Sequence, residues 1–162
     1  MTMPRQKPHR SKQDYATPAV FIERLLLYLG APFFQHDFAA DAINSKGRTH
    51  YDALTDALKM TRADWRAAVG SEWGWLNPPF TNIGSWAERC MELMEDGGSI
   101  ALLVPASIGS NWFKEFVYGH ASIVALNGRL SFDGVGPYPK DCMLCCYGPK
   151  CERVFHVWSW NK

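Results

Sequence analysis

No apolar run in the chain approaches the roughly 18 residues that a helix needs to cross a bilayer. No secretory leader pattern opens it either, so a helical membrane protein is excluded and a cytoplasmic location is expected. Disulfide chemistry is missing too. Five cysteines, an odd number, read as reduced thiols rather than as a covalent framework. Net charge is close to absent, at +1. That near-neutrality hides an asymmetry: residues 1 to 13 carry Arg5, Lys7, Arg10 and Lys12 and no acid, which leaves 13 basic and 16 acidic side chains in the other 149 residues. Residues 1–13 therefore read as a mobile basic tail, either a solubilising terminus or a contact for nucleic-acid phosphates. Residues 14–162 read as one folded domain.

What the chain does have is apolar mass. With 162 residues, 47% of them hydrophobic, it can bury about two-thirds of its unfolded surface, so its core requires neither disulfide nor metal. Seven Trp and nine Phe are a heavy aromatic load; most belong to the core, and some are available as stacking platforms.

Hydrophobic spacing predicts the elements. Thr17 reads as a helix N-cap with Pro18 at the first helical position, followed by Val20, Phe21, Leu25, Leu26 and Leu29 at helical spacing and stopped by Gly30. Pro32 to His36 predicts a buried strand ending at Asp37, then a loop of small and turn-forming residues through Gly47, and at most a helical turn over 52–58. Trp73 to Leu76 is a second strand, with Asn77 at its C-terminal end. A helix with Ile83, Trp86, Ala87, Cys90, Leu93 and Met94 inward follows, then a strand from Ser99 to Val104 cut off by Pro105, and a short helix over 111–120. Strands at 122–126, 142–147 and 154–160 close the chain. This order predicts an α/β fold with a mostly parallel sheet and an antiparallel edge. Ligands of such sheets bind at the carboxyl ends of the strands, where both Asp37 and Asn77 fall.

Asn77-Pro78-Pro79-Phe80 is the segment with the most chemical content. Two prolines have no N–H and a fixed φ, so the turn cannot continue as a helix or ladder and its carbonyls accept from elsewhere. An exocyclic amino group on a planar heterocycle fits. Its two N–H donors would be shared between the Asn77 Oδ1 and the Pro78 carbonyl, with the Phe80 ring stacked on the base. Plain turn punctuation is the other reading. Asp37, followed by Phe38, Ala39 and Ala40, lets a small ligand approach the backbone closely. Asp56-Ala57-Leu58 places a carboxylate suited to an adenine amino group, or else a surface acid. Ser107, Asn111 and Trp112 after Pro105, and the loop from Gly134 to Lys140 with Tyr138, are candidates for substrate contact or simple structural loops. Cys142, Cys145, Cys146, Cys151 and His156 suggest a metal cluster at first sight. Alternate residues of a strand point to opposite faces, however, so no metal site is expected.

Taken in order, Tyr15-Ala16-Thr17-Pro18, Asp37-Phe38-Ala39-Ala40, Asp56-Ala57-Leu58 and Asn77-Pro78-Pro79-Phe80 resemble the S-adenosylmethionine-dependent amino-methyltransferases, specifically the phage-type, Dam-like DNA N6-adenine methyltransferases. The similarity spans about residues 14 to 148 and includes Leu102 to Ala106 and Gly128-Arg129-Leu130-Ser131-Phe132. It implies a single-domain Rossmann-like methyltransferase fold, S-adenosyl-L-methionine as cofactor, DNA as partner, and methylation of adenine N6 in phage DNA. By the same resemblance Tyr15, Thr17 and Pro18 lie near the methionine part of the cofactor, and Asp37, Ala39 and Ala40 form the strand-one loop. Asp56 and Leu58 meet the cofactor's adenine. Asn77, Pro78, Pro79 and Phe80 are catalytic, while Ser107, Asn111, Trp112, Arg129, Tyr138 and Lys140 contact substrate. The family's Gly-rich loop is replaced here by Phe38-Ala39-Ala40-Asp41, and no acid of the second strand stands out for the ribose, with Asp41 and Asn44 the nearest choices. Cytosine N4, an RNA base or a protein glutamine would suit the same motif. A non-catalytic nucleic-acid-binding module is the alternative from another class. The chain leaves no room for a large target-recognition domain, so a short or relaxed site preference is expected; the oligomeric state is not set.

Overall fold

The computed structural model describes residues 16–132 and 136–162; the basic tail and Tyr15 lie outside the described residues. The first helix, α1 (Ala19–Leu29), begins one residue later than the spacing predicts. Pro18 is its N-cap (φ −59°, ψ 138°) and no side chain caps it, because the proline's fixed φ suits the helix entry by itself. Thr17 is thereby released from the capping role expected of it. At the other end Gly30 takes a left-handed conformation, φ 66°, and its N–H reaches the carbonyls of Leu26 and Leu27, as glycine does at helix ends.

Strand β1 (Phe34–Asp37) follows, then β2 (Gly47–His50), a 3-10 turn over Ala57–Lys59, and helix α2 (Arg62–Val69). Next come β3 (Trp73–Leu76), α3 (Ile83–Glu95), β4 (Ser99–Pro105), α4 (Asn111–Phe116) and β5 (Ser122–Asn127). A short hairpin, β6 (Ser131–Phe132) with β7 (Gly136–Pro137), precedes β8 (Cys142–Tyr147) and β9 (Phe155–Ser159). The main sheet has seven strands in the order β2-β1-β3-β4-β8-β5-β9. Six run the same way; β8 is antiparallel to both neighbours, β4 and β5. A mostly parallel α/β sheet thus stands as expected, with one change of place. The antiparallel strand lies inside the sheet, and the edge beyond it is β9, parallel to β5. The reason is burial: every residue of β8 is buried, which suits a strand covered on both faces.

Strand alternation divides two cores. Ile100, Leu102 and Val104 of β4 with Met143, Cys145 and Tyr147 of β8 face α2, α3 and α4. Ala101 and Leu103 with Cys142, Leu144 and Cys146 face α1 through Phe21, Ile22 and Leu25. The three strand cysteines therefore sit on opposite faces of one sheet. Burial raises the Cys142 thiol to about 12 and pushes that of Cys145 well above the usual thiol range, so these thiols pack as small apolar groups.

Four elements escaped the pattern reading: β2, α2 and the two short strands of the β6–β7 hairpin. β2 is polar, Gly-Arg-Thr-His, and lies at the sheet edge, so it shows no apolar alternation. Gly47 there is required by close approach rather than by a turn: a Cβ would sit 2.5 Å from the Asp37 backbone nitrogen. Helix α2 is short, yet it opens with a reciprocal capping box between Thr61 and Asp64. Its Trp65 is stacked on Phe38 with ring centroids 4.1 Å apart and donates Nε1–H to the Ala57 carbonyl at 2.8 Å.

Candidate active site

Parallel strands end together, and here that rule assembles the site. Asp37 ends β1, Asp52 follows β2, Asn77 follows β3, Ser107 follows β4 and Arg129 follows β5. Because β8 runs the other way, Lys140 just before it lies on this same rim. The Ala106 N–H donates to the Asp141 carbonyl at 2.9 Å, tying the segment after β4 to the segment before β8.

Asn77 stands at the centre. Its Nδ2 donates to Thr17 Oγ1 at 3.1 Å, across 60 residues of sequence. Two segments that the resemblance separates into cofactor and catalytic roles are thus in direct contact. Pro78 is buried, while Pro79 and Phe80 are half-buried. Phe80 meets Tyr138 edge-on at 5.6 Å between centroids, and Tyr138 meets Phe132 at 5.8 Å. The β6–β7 hairpin therefore carries Tyr138 to the Asn-Pro-Pro-Phe turn.

Asp37 is 3% exposed and organises the loop that follows it. Its Oδ1 accepts the Ala39 N–H at 3.2 Å and its Oδ2 the Lys46 N–H at 2.9 Å. Burial raises its carboxyl to about 6, against the pull of these two donors. Ala39 and Ala40 shape the same turn: the Ala40 N–H donates to the Tyr51 carbonyl, and the Phe38 N–H to the Trp75 carbonyl. Asp41 is committed to a local turn. Its carboxylate accepts the Ile43 and Asn44 N–H groups at 2.8 Å and the Asn44 Nδ2 at 3.1 Å, closing a local turn.

Asp56 and Leu58 lie on the 3-10 turn after β2. Asp56 has φ 48°, the one non-glycine residue in the left-handed region among those described, and its carboxylate pairs with Lys59 at 3.2 Å. Leu58 packs partly on the α2–α3 core and borders a cleft of about 320 Å³ with Ser85, Glu88, Arg89 and Glu92. Asn111 is exposed at the start of α4, whose cap is Ser110, and Ser107 accepts the Ser110 hydroxyl at 2.7 Å. Trp112 packs against the α3 side of the core, while Arg129 and Lys140 are exposed.

One rim acid was missed from sequence. Asp52 sits two residues beyond β2, half-exposed, with its Oδ1 accepting the Leu54 N–H, the Thr55 N–H and the Thr55 hydroxyl at 2.8–3.0 Å. The Thr55 N–H foremost holds its carboxyl below the usual range. Recognising β2 would have found it, since position after a strand is the signal. Among the described residues no group of His, Cys, Asp and Glu is arranged to hold a metal ion, and no helix is long and apolar enough to cross a membrane.

His36 and Asp37 give the fold a testable pH signature. His36 is 4% exposed, bonded through Nδ1 to Thr49 Oγ1 at 2.7 Å, and burial lowers its imidazole to about 4. Between about pH 4 and 6 the folded chain keeps a proton on Asp37 that the unfolded chain releases, so that contribution to stability falls as pH rises. Over the same window the unfolded chain protonates His36 and the folded chain does not, so this contribution rises. The two oppose. Relative to wild type, Asp37→Asn is expected to gain stability from pH 4 to 6, and His36→Phe to lose it, each by about 2 to 3 kcal/mol. Urea unfolding at both pH values checks this; parallel profiles for the two variants would refute it.

A seven-stranded, mostly parallel sheet with this polar rim defines a Rossmann-like methyltransferase fold. Residues 5–143 match the family described as DNA N-6-adenine-methyltransferase (Dam), and the chain belongs to that family. It is also similar to a DNA N-6-adenine-methyltransferase of Escherichia phage T1, 26% identical over 133 residues that cover 78% of this chain and 50% of the relative. The chain thus spans about half the length of the relative it matches.

Proposed function

We propose that the protein transfers a methyl group from S-adenosyl-L-methionine to the N6 amino group of adenine in DNA, in the cytoplasm of a phage-bearing host. The observation that carries the reading is the place of Asn77-Pro78-Pro79-Phe80: directly beyond a parallel strand, with its amide braced by Thr17 and its ring beside Tyr138. Membership of the family supplies the reaction class.

The residues fit the cofactor by their donor set. The small side chains of Ala39 and Ala40 let a ligand approach the turn that Asp37 shapes. Asp52, at the end of β2, is the acid suited to ribose hydroxyls, and Asp56 and Leu58 supply the adenine side. Pro18 and the backbone beside it supply the methionine side, while the Thr17 hydroxyl is turned to Asn77. When bound, the cofactor would offer an electrophilic methyl on a sulfonium and would leave as the neutral thioether with the S–C electron pair, while the proton displaced from N6 passes to solvent.

The chain's own residues do the rest. Adenine N6 is a weak nucleophile because its lone pair is delocalised into the ring. Hydrogen bonds from its two N–H groups to Asn77 Oδ1 and the Pro78 carbonyl draw the nitrogen toward tetrahedral geometry, and they strengthen as positive charge develops. The base must leave the helix, at a cost of a few kcal/mol; stacking on Phe80 offsets part of it. Ser107, Asn111, Trp112, Arg129, Tyr138 and Lys140 ring the same rim and are the DNA contacts of this reading.

Mass spectrometry of nucleosides after incubation with cofactor and DNA is expected to show N6-methyladenine; N4-methylcytosine alone, or no methylated base, would overturn the reading. Phe80→Tyr keeps a stacking face and is expected to stay within about threefold of wild type. Phe80→Ala should lose about 10- to 100-fold in kcat/KM, since base stacking is worth about 1–3 kcal/mol. An inactive Phe80→Tyr would mean the ring is not a stacking face.

A further inference from the structure

Thr17 is 2% exposed, and its hydroxyl accepts the Asn77 Nδ2–H at 3.1 Å. The segment is rigidly placed. Pro18 caps α1 without help from a side chain, its carbonyl accepts the Phe21 and Ile22 N–H groups at 3.1 and 3.2 Å, and Phe21, Ile22 and Leu25 anchor the helix in the core. Asn77 is held equally firmly by β3, whose Leu76 pairs with Leu102 of the central strand β4. The bond therefore joins the segment that leads into α1 to the residue that directly follows β3.

We propose that Thr17 is a positioning residue that sets which edge of the Asn77 amide faces the reacting nitrogen. This inference rests on the amino-methyltransferase reading above. An amide has a donor edge and an acceptor edge, and only the acceptor edge can receive an amino group's N–H. With Nδ2 turned to Thr17, Oδ1 lies on the opposite edge of the amide plane. A hydroxyl can accept at Oγ1, whereas a methyl in its place leaves the Nδ2–H facing an apolar group, a geometry that the amide relieves by rotating. Rotation misaligns the acceptor, and misplacement at a reacting centre is costly even below 1 Å. The cofactor contact that the resemblance assigns to Thr17 predicts something different: loss of cofactor affinity rather than of turnover.

Three variants separate these roles. Thr17→Val is nearly isosteric and removes the hydroxyl. It is expected to lower single-turnover methyl transfer about tenfold, with cofactor affinity by calorimetry and KM for DNA within about twofold of wild type. Thr17→Ser keeps the acceptor and is expected to recover turnover to within about threefold. Thr17→Ala repeats the measurements should the valine variant fail to fold. Nitrogen-15 NMR adds a readout independent of activity: the Asn77 side-chain amide protons are expected to exchange faster in Thr17→Val than in wild type, and no faster in Thr17→Ser. Unchanged turnover in Thr17→Val, or a loss wholly in cofactor affinity, would overturn the inference. Wild-type protein that makes no N6-methyladenine would overturn the reading beneath it, and the Asn77 amide exchange would still test Thr17 itself.

Discussion

Asn77→Ala is expected to lower methyl transfer by at least about 10²- to 10³-fold while leaving S-adenosylmethionine affinity within about twofold of wild type. The magnitude is that of removing one preorganised group aimed at developing charge. The split between turnover and binding follows from geometry. In the proposed function the cofactor side of the rim is built by Asp37, Ala39 and the segment beyond β2, and Asp37 holds that loop through the Ala39 and Lys46 N–H groups. Single-turnover assays and calorimetry on the same preparation check the prediction. An equal fall in cofactor affinity would remove the division of labour between the two halves of the rim.

The largest stability effect is expected at Trp65, 1% exposed. Trp65→Ala should cost about 3–5 kcal/mol, which for a chain of this size lowers Tm by about 10 °C. Three losses combine: the buried indole volume, the stack on Phe38 at 4.1 Å, and the Nε1–H bond to the Ala57 carbonyl at 2.8 Å. Phe38 directly follows Asp37, so the same change should also loosen the cofactor loop and weaken cofactor binding. Trp65→Phe keeps a ring on Phe38 and gives up the hydrogen bond, for an expected cost of about 1–3 kcal/mol. Thermal melts of both variants test the ordering; an alanine variant as stable as wild type would show that this stack does not support the core.

Much of the fold was legible because it is written in periodicity. Strand β4 reads as an unbroken apolar run and proves buried over all but its first residue. The inward positions of α3, from Ile83 to Met94, are the buried ones. Elements without that signature were not legible. β2 is polar and lies on the edge, and α2 is eight residues long with few apolar positions. Its capping box is a local signal that the spacing of hydrophobic residues does not register. Missing β2 hid Asp52, since an acid gains meaning at a rim only once the strand before it is recognised. Thr17 shows the opposite error. From its neighbours it is a helix cap, and nothing within four residues reveals that its hydroxyl is committed to a side chain 60 positions away.

The amino-acid sequence by itself determined the α/β class, the turn chemistry of Asn77-Pro78-Pro79-Phe80 and the alternation that sets Cys145 opposite Cys142 and Cys146. These follow from local backbone limits and from the two-residue period of a strand, which need no distant partner. Tertiary structure alone decided that β8 lies inside the sheet, that Asp52 joins the rim, that Tyr138 reaches Phe80, and that Thr17 holds the Asn77 amide. Strand order and side-chain pairing across long loops depend on which faces can be buried together, and that is a property of the whole packed chain rather than of any segment.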